Sequence, residues 1–393
     1  MDPAPSVSYQ ILLLGSKDPR SDAIRECICD RVADLGVDAR VVAFFDETSA
    51  ATRDIRLPVM AIFLGSSSAV VDVPLIDQLI ADSIVIAPVV SLLSHVASEV
   101  PLRLRHINAL ELGAGDAGLA RVASLVLETF RLLRRERRLF ISYKRDDAQP
   151  FAEKLYESLD TRGFDVFIDV RSVPPAVDFQ SELWHRMSDS DVVVLVDTPG
   201  FRASRWTTAE LAQANATNIQ ILHLLWPGQK EDALSSFSHF FKLKRSDFWA
   251  WRPGKGRYVT NSAISRICAE AERLRARAIA ARHRYLVDNF CDAARDLGMS
   301  PAVQPERWIS IPRPGGRTLA AVPAVGVPTS DRMKAIFDAI SDTTTNSRDL
   351  WVIYDNRGIL STWLAHLDWL DAHLPIRAVR VSNAPDALKA LLP

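Results

Sequence analysis

The chain has 393 residues, of which 48% are hydrophobic and 24% charged, and its formal net charge is -1. These values are typical of an ordinary globular protein. The near-neutral balance excludes a protein that is basic overall, so we expect no direct DNA binding. No apolar run approaches the roughly 18–20 residues of a membrane span, and no N-terminal segment has the order of a signal peptide. We therefore expect a cytoplasmic protein that does not contact a membrane.

The cysteines and histidines do not form a metal-binding pattern. The four cysteines include no pair with CxxC spacing, which favours reduced, buried thiols. His366 and His373 lie seven residues apart with Asp368 and Asp371 nearby, and this is not an established ligand spacing. We expect no bound metal.

Residues 1–136 alternate apolar runs, beginning with YQILLLGS, with helical patterns, and a long amphipathic helix closes them. This alternation predicts a Rossmann-like α/β domain, in which ligands bind beyond the carboxyl ends of the strands. Two of those ends are small and polar, so their N–H groups, hydroxyls and lysine could hold phosphate. The candidate residues are Gly15, Ser16, Lys17, Gly65, Ser66 and Ser67. The alternative is that they form ordinary strand-to-helix turns, which need glycine and serine in any case.

The segment from Arg138 to Asn218 contains a second series of buried strands and helices. The pattern predicts a short strand over Leu139–Tyr143. After it we expect a polar loop over 144–147 and then a helix from Ala148 to Arg162. DVFID and DVVVLVD predict two further strands, and IQILHLLW predicts a fourth. Between the third and fourth strands lies a predicted helix that contains Glu210.

Three of these segments, in this order, resemble the Toll/interleukin-1 receptor (TIR) domain family in its prokaryotic, NAD+-cleaving form. They are FISYKRDD, FDVFIDVRSVPP and SDSDVVVLVDTPGFRASRWTTAEL. The sequence departs from the family pattern at Ala176 and Val177, where glycine is common, at Asp197, where serine is common, and at Thr207, where cysteine is frequent. None of these departures removes the glutamate.

The resemblance implies an NAD+ nucleosidase, with NAD+ as the substrate and no separate cofactor. Glu210 would be the catalytic carboxylate, because cleavage gives the ribose oxocarbenium character that a nearby negative charge stabilises. Trp206 lies one helical turn earlier on the same face and could stack on the substrate. The remaining substrate-binding candidates end strands at the same edge of the sheet; they are Tyr143, Lys144, Arg145 and Asp169.

Each of these residues also has a purely structural interpretation. Glu210 could serve only the helix dipole, and Trp206 could pack in the core. Lys144 and Arg145 could be solvated loop charges, and Asp169 could cap a turn.

A helical connector follows at 251–297, and residues 298–393 show strands and helices of a small α/β domain of unknown role. The predicted fold class is therefore α/β in three units. A flavodoxin-like TIR domain of parallel strands at 137–250 is flanked by two further Rossmann-like α/β domains, one of them at 1–136.

This order of domains suggests a regulated effector. By family resemblance, NAD+-cleaving TIR domains of prokaryotes act in antiviral defence and are switched on by a nucleotide second messenger or by oligomerisation. We therefore expect a homo-oligomer or filament that forms through the TIR domain. The N-terminal domain is loosely similar to CARF-type nucleotide-sensing domains, which implies a cyclic oligonucleotide activator. Two alternatives stay open, a non-catalytic TIR scaffold that mediates assembly and an NAD+ cyclase that makes a signalling nucleotide.

Overall fold

The structure, a computed structural model, describes residues 7–68, 71–113, 115–168, 179–201, 217–231, 238–249, 258–304, 307–340 and 349–392. The chain divides into two compact units by its internal contacts. The first unit combines Met1–Arg135 with Thr260–Arg277, and the second combines Glu136–Val259 with Ala278–Pro393. No helix in the described ranges is long and apolar enough to cross a membrane.

The first unit contains a parallel five-stranded sheet in the order β2-β1-β3-β4-β5. Its strands are β1 (Tyr9–Gly15), β2 (Val42–Phe45), β3 (Val59–Leu64), β4 (Val85–Val90) and β5 (Leu110–Glu111). Its helices are α1 (Pro19–Asp34), α2 (Val73–Ala81), α3 (Val96–Glu99) and α4 (Asp116–Thr129). Every residue of β1 is buried, as expected for a central parallel strand with both faces covered. The predicted α/β architecture of this region is confirmed.

Local chemistry sets where α1 begins. The Asp18 carboxylate accepts a hydrogen bond from the Arg20 N–H, and Pro19 occupies the first helical position. Both features favour a helix start at this point, because a side-chain acceptor satisfies a free N–H and proline lacks one.

The second unit begins with another parallel sheet, in the order β10-β9-β8-β6-β7. Its strands are β6 (Arg138–Tyr143), β7 (Asp165–Ile168), β8 (Val192–Asp197), β9 (Gln220–Leu225) and β10 (His239–Lys242). The helices α5 (Arg145–Asp160) and α6 (Phe179–Asp189) belong to it. Two short antiparallel strands follow, β11 (Phe248–Trp249) and β12 (Tyr258–Val259). The four predicted strands are present, and β10 adds a fifth that the sequence did not indicate.

The predicted loop over 144–147 is wrong for three of its four residues, because α5 already begins at Arg145. Asp146 and Asp147 lie in its first turn, where negative charge favours the helix dipole. The helix is interrupted at Ala148, which has φ -138° and ψ 16°. Pro150 lies two residues later and has no N–H to donate to the preceding turn. The regular part of the helix therefore starts close to the predicted position.

A third sheet completes the second unit, with its strands in sequential order. They are β13 (Ala302–Val303), β14 (Ile309–Pro312), β15 (Thr318–Pro323), β16 (Leu350–Tyr354) and β17 (Arg377–Arg380). The first two pairings are antiparallel and the last two parallel. The helices are α7 (Asn261–Asp296), which runs from the first unit into the second, α8 (Ser330–Ile340), α9 (Ser361–His373) and α10 (Ala384–Lys389). The third α/β region is thus a mixed sheet.

Within the second unit, the segments that follow β15 and β16 contact the carboxyl-terminal end of α6. The Ser188 hydroxyl donates to the Arg357 carbonyl at 3.0 Å, and the Val327 N–H donates to the Asp189 carboxylate at 3.0 Å. A Cβ on Gly358 would lie 2.2 Å from the Ser188 hydroxyl oxygen, so a side chain there would displace Ser188.

The same end of α6 is capped by α7. The buried Arg282 guanidinium donates to the carbonyls of Ser188 and Ser190. A cation beside the last carbonyls of a helix satisfies their acceptors and complements the dipole. The end of α6 is therefore fixed by residues far away in the sequence.

Candidate active site

The candidate site lies where the strand order of the central sheet reverses, between β6 and β8. Tyr143 at the end of β6 is level with Val196 near the end of β8. Consequently the segment that starts at Lys144 and the loop Thr198–Phe201 meet at one edge. In open α/β sheets such a switch point, at the carboxyl ends of the strands, is where ligands bind.

A small polar cluster connects these two segments. The Thr198 hydroxyl donates to Asp147 Oδ2 at 2.9 Å, and Lys144 Nζ lies 3.9 Å from the same oxygen. A Cβ on Gly200 would lie 2.3 Å from Asp147 Oδ2 and 2.7 Å from Lys144 Nζ. The absence of a side chain at Gly200 therefore lets the loop pack directly on the lysine and the aspartate.

The three predicted residues at the end of β6 differ in exposure. Tyr143 is buried, Lys144 is partly exposed and Arg145 is exposed. Lys144 is thus the predicted cation that is both held in place and accessible at the switch point. The predictions for Asp169, Trp206 and Glu210 fall outside the described residues and stay predictions.

A buried polar pair that no sequence motif indicates lies behind this edge. His223 Nε2 lies 3.0 Å from Asp197 Oδ2, and the two residues are 5% and 1% exposed. The His223 ring also packs on Phe240, with 5.0 Å between centroids. The signal that could have revealed the pair is a polar residue in each of two neighbouring apolar strands, VVVLVD and QILHLL. The pair fixes the end of β8, from which the Thr198–Phe201 loop starts.

The N-terminal candidates lie at the corresponding switch point of the first sheet, between β1 and β3. Gly15 pairs with Leu64, and the Arg20 guanidinium reaches from the start of α1 to the Gly65 carbonyl at 3.0 Å. Gly15 has φ +90°, and a Cβ there would lie 2.5 Å from the Leu64 carbonyl oxygen. The structure therefore brings the two predicted loops together.

The cations at this edge are already paired with carboxylates. Lys17 Nζ donates to Asp46 at 3.0 Å and lies 3.7 Å from Glu47. The hydrogen bond with Asp46 raises the pKa of Lys17. Arg20 forms an ion pair with Asp18 at 2.6 Å. A phosphate would have to compete with these carboxylates for both cations.

The predicted hydroxyls bond mainly to near neighbours. The Ser16 hydroxyl donates to Asp18 at 2.7 Å, and the hydroxyls of Ser66 and Ser68 lie 3.1 Å apart. Ser67 is exposed. These hydroxyls form part of local turns, which is compatible with either interpretation given above.

A third group at the same edge is not among the sequence candidates. The Ser91 hydroxyl, directly after β4, donates to Glu99 and lies 3.0 Å from His95 Nδ1. Although burial acts in the opposite direction, the hydrogen bonds from Ser91 and His95 lower the pKa of Glu99. The serine and the glutamate both contact the same ring nitrogen of His95. This geometry differs from a hydrolase triad, in which the two groups use opposite ring nitrogens.

No cluster of three or more His, Cys, Asp or Glu side chains is placed to hold a metal ion among the residues that the structure describes.

The comparison with protein families decides the identity of the central region. Residues 139–252 match the sequence model of the TIR domain family. This segment is a TIR domain. The recognition made from its motifs is therefore confirmed, and its sheet of β6 to β10 is the TIR sheet.

The comparisons with whole proteins add little. No curated protein matches the chain. Solved structures similar to it include a putative phosphosugar isomerase from Silicibacter pomeroyi, which is 9% identical in sequence. The alignment covers 71% of this chain and 88% of the isomerase chain, with a TM-score of 0.22. Another is a periplasmic ribose ABC transporter protein from Conexibacter woesei, which is 15% identical in sequence. That alignment covers 57% of this chain and 74% of the transporter chain, with a TM-score of 0.17. These TM-scores are too low to support a functional argument.

Proposed function

We propose that this protein is an NAD+ nucleosidase whose TIR domain cleaves the bond between nicotinamide and ribose. The observation that carries the proposal is the TIR match over 139–252, because this range contains Glu210 and Trp206, which the family resemblance assigns to the catalytic motif. TIR domains serve either as NAD+-cleaving enzymes or as scaffolds, and the presence of this glutamate favours the enzyme.

The chemistry needs little from the protein beyond position and charge. Nicotinamide leaves as a neutral molecule from a cationic precursor, so no strong general acid is required. The ribose carbon becomes oxocarbenium-like, and the Glu210 carboxylate stabilises that charge. Water then attacks the same carbon and loses a proton, and the products are ADP-ribose and nicotinamide.

The residues around the switch point support substrate binding. Lys144 is positioned by Asp147 and Gly200 and stays partly exposed, so its ammonium group can meet the pyrophosphate of NAD+. The buried pair Asp197–His223 fixes the strand end beside it. We assign Lys144 to substrate binding and the buried pair to positioning of the loop.

We further propose that the enzyme is a regulated effector of prokaryotic antiviral defence that depletes the cell's NAD+. A nucleotide second messenger at the edge of the first sheet, self-association through the TIR domain, or both would activate it. Support comes from the family resemblance and from the meeting of the Gly15–Lys17 and Gly65–Ser67 loops at a switch point. A cyclic oligonucleotide would displace Asp46 and Asp18 from Lys17 and Arg20.

The decisive experiment compares Glu210→Gln with wild type in NAD+ consumption, with and without added cyclic oligonucleotides. Loss of one electrostatic stabiliser predicts a decrease in turnover of about 100- to 1000-fold. Glu157→Gln, on the exposed surface of α5, is the matched control and should leave turnover unchanged. Chromatography of the products distinguishes ADP-ribose from a cyclised nucleotide.

Equal activity of wild type and Glu210→Gln would contradict the assignment of the glutamate. A protein that never lowers NAD+, with any of these activators or in cells, would favour the scaffold instead.

A further inference from the structure

The hairpin formed by β11 and β12 presents two aromatic rings to solvent. Phe248 pairs with Val259 and Trp249 with Tyr258. Phe248 and Val259 point inward, and the Phe248 ring packs on Trp226 with 4.8 Å between centroids. Trp249 and Tyr258 point outward and are 70% and 67% exposed. Residues directly opposite in an antiparallel pair share one face, so the two rings form one exposed surface.

The hairpin is anchored to the TIR domain rather than loosely attached. Lys154 of α5 donates to the Val259 carbonyl at 2.7 Å, and the inward side chains belong to the aromatic core around Phe151 and Trp226. Contiguous exposed apolar groups mark interaction sites, whereas singly scattered ones are normal, and Trp249 and Tyr258 are direct neighbours across the strand pair. The outward rings are therefore presented by a fixed support.

The sequence around these rings is strongly basic. From Lys242 to Tyr258 there are six cationic residues and one acid, Asp247. Asp247 is buried, and its carboxylate accepts a hydrogen bond from the Lys244 N–H at 2.9 Å. Lys242 is paired with Glu231 at 2.8 Å, whereas the exposed side chains of Lys244 and Arg245 form no ion pair within the described residues. The near-zero charge of the whole chain hides this local excess.

We propose that this hairpin binds single-stranded nucleic acid. Bases would stack on Trp249 and Tyr258, and backbone phosphates would pair with Lys244 and Arg245. Exposed aromatic rings beside cations are the combination that binds single strands without sequence preference, because every base has a face that can stack. The expectation of no DNA binding rests on the total charge and does not account for this surface.

Two other partners fit the surface less well. A membrane would require a wider apolar surface, whereas the exposed residues just before β11, Lys244, Arg245 and Ser246, are all polar. Double-stranded nucleic acid satisfies the cations but keeps its base faces stacked inside the duplex, so it leaves the two rings unused.

The test measures binding of fluorescein-labelled oligothymidylate and oligouridylate, each of 20 nucleotides, to the full-length protein by fluorescence anisotropy. Trp249→Ala should weaken binding by roughly fivefold to a hundredfold, as loss of one stacked base predicts. Trp249→Phe should keep most of the affinity. Trp369→Ala is the matched control, because this tryptophan of α9 is also exposed in the second unit and should have no effect.

The cations are tested separately through salt dependence. Replacing Lys244 and Arg245 together by alanine should lower the slope of log Kd against log salt by about 1.4, since each contact with a single strand contributes about 0.7. Lys389→Ala, an exposed lysine of α10, should leave the slope unchanged.

Three results would overturn the proposal. They are equal affinity for a 20-base-pair duplex, equal affinity of Trp249→Ala and wild type, and binding to phosphatidylserine vesicles without binding to either oligonucleotide. These assays contain no NAD+, so their outcome is independent of the nucleosidase proposal.

Discussion

The sheet of the first unit and the TIR sheet have the same strand order, with the first strand in the interior and a switch point between the first and third strands. Their carboxyl edges differ in where the charges lie. In the first sheet the pair Lys17–Asp46 is at the surface, with Lys17 62% exposed. In the TIR sheet the pair Asp197–His223 is buried.

The two sheets therefore share a topology but differ in burial at the edge, and burial decides how firmly the charges there are held. Exposed ion pairs are weak and exchange readily with another ion, which suits the edge proposed above to bind an activating ligand. Buried polar pairs are held by the cost of separating them, which suits the edge proposed above to be catalytic. The comparison can be tested by changing equivalent features of the two edges.

The largest effect is expected from removing one member of the buried pair. His223→Leu leaves the Asp197 carboxylate in the core without its imidazole partner and should lower the free energy of unfolding by about 2–3 kcal/mol. Lys17→Ala removes an exposed cation and should cost less than about 0.5 kcal/mol. Urea unfolding monitored by circular dichroism measures both. His223→Gln keeps a hydrogen-bond donor and should recover part of the lost stability. If Lys17→Ala and His223→Leu lower the free energy of unfolding by similar amounts, the two edges do not differ in how firmly their charges are held.

A smaller effect is expected at the glycines of the two edges. Gly15→Ala places a Cβ against the Leu64 carbonyl at a residue with φ +90° and should destabilise by about 2 kcal/mol. At Gly200 the clashing atoms are the ends of the Lys144 and Asp147 side chains, which can move, so Gly200→Ala should cost less than about 1 kcal/mol. The shift of the urea midpoint gives both values. A larger cost at Gly200 than at Gly15 would mean that the TIR loop cannot adjust.

The smallest expected effect is a difference between the two units in how their stability depends on pH. Burial and the nearby Arg307 lower the pKa of His283, in the second unit, to about 3. Below about pH 6.5 the unfolded chain therefore takes up a proton that the folded chain does not, and stability falls as the pH falls. Between pH 7.5 and 5.5 the second unit should lose about 1 kcal/mol through this residue.

In the first unit the relevant groups are carboxylates. A hydrogen bond from Arg20 lowers the pKa of Asp18, and hydrogen bonds from Ser91 and His95 lower that of Glu99 against the effect of burial. Their stabilising contribution is complete above about pH 4.5 and is lost only below it. Burial raises the pKa of Asp371, also in the second unit, to about 6, so protonation of this carboxyl favours the folded state as the pH falls and offsets part of the His283 effect. Calorimetry between pH 7.5 and 5.5 should therefore show the second unit losing more stability in wild type than in His283→Gln, because Asp371 acts equally in both proteins. An equal shift in both proteins would assign the pH dependence to other groups.

The sequence is informative about strands because fully apolar runs such as VVVLVD have few alternatives to a buried strand. It also identifies the TIR domain from three ordered motifs. It does not reveal the Asp197–His223 pair, because two residues 26 positions apart become neighbours only when β8 and β9 pair. The early start of α5 is missed because Arg145–Asp147 read as a polar loop until the helix dipole is considered.

The contacts at the end of α6 bear on how this TIR domain can be isolated. The matched segment ends at residue 252, yet the carbonyls of Ser188 and Ser190 are satisfied by Arg282, and Asp189 accepts from Val327. A fragment that ends at the family boundary would leave these acceptors without their partners. It would also expose the surface around Ser188 against which Gly358 packs. We therefore expect the TIR domain to be more stable when α7 and the third sheet are present in the same polypeptide than when the chain ends at the family boundary.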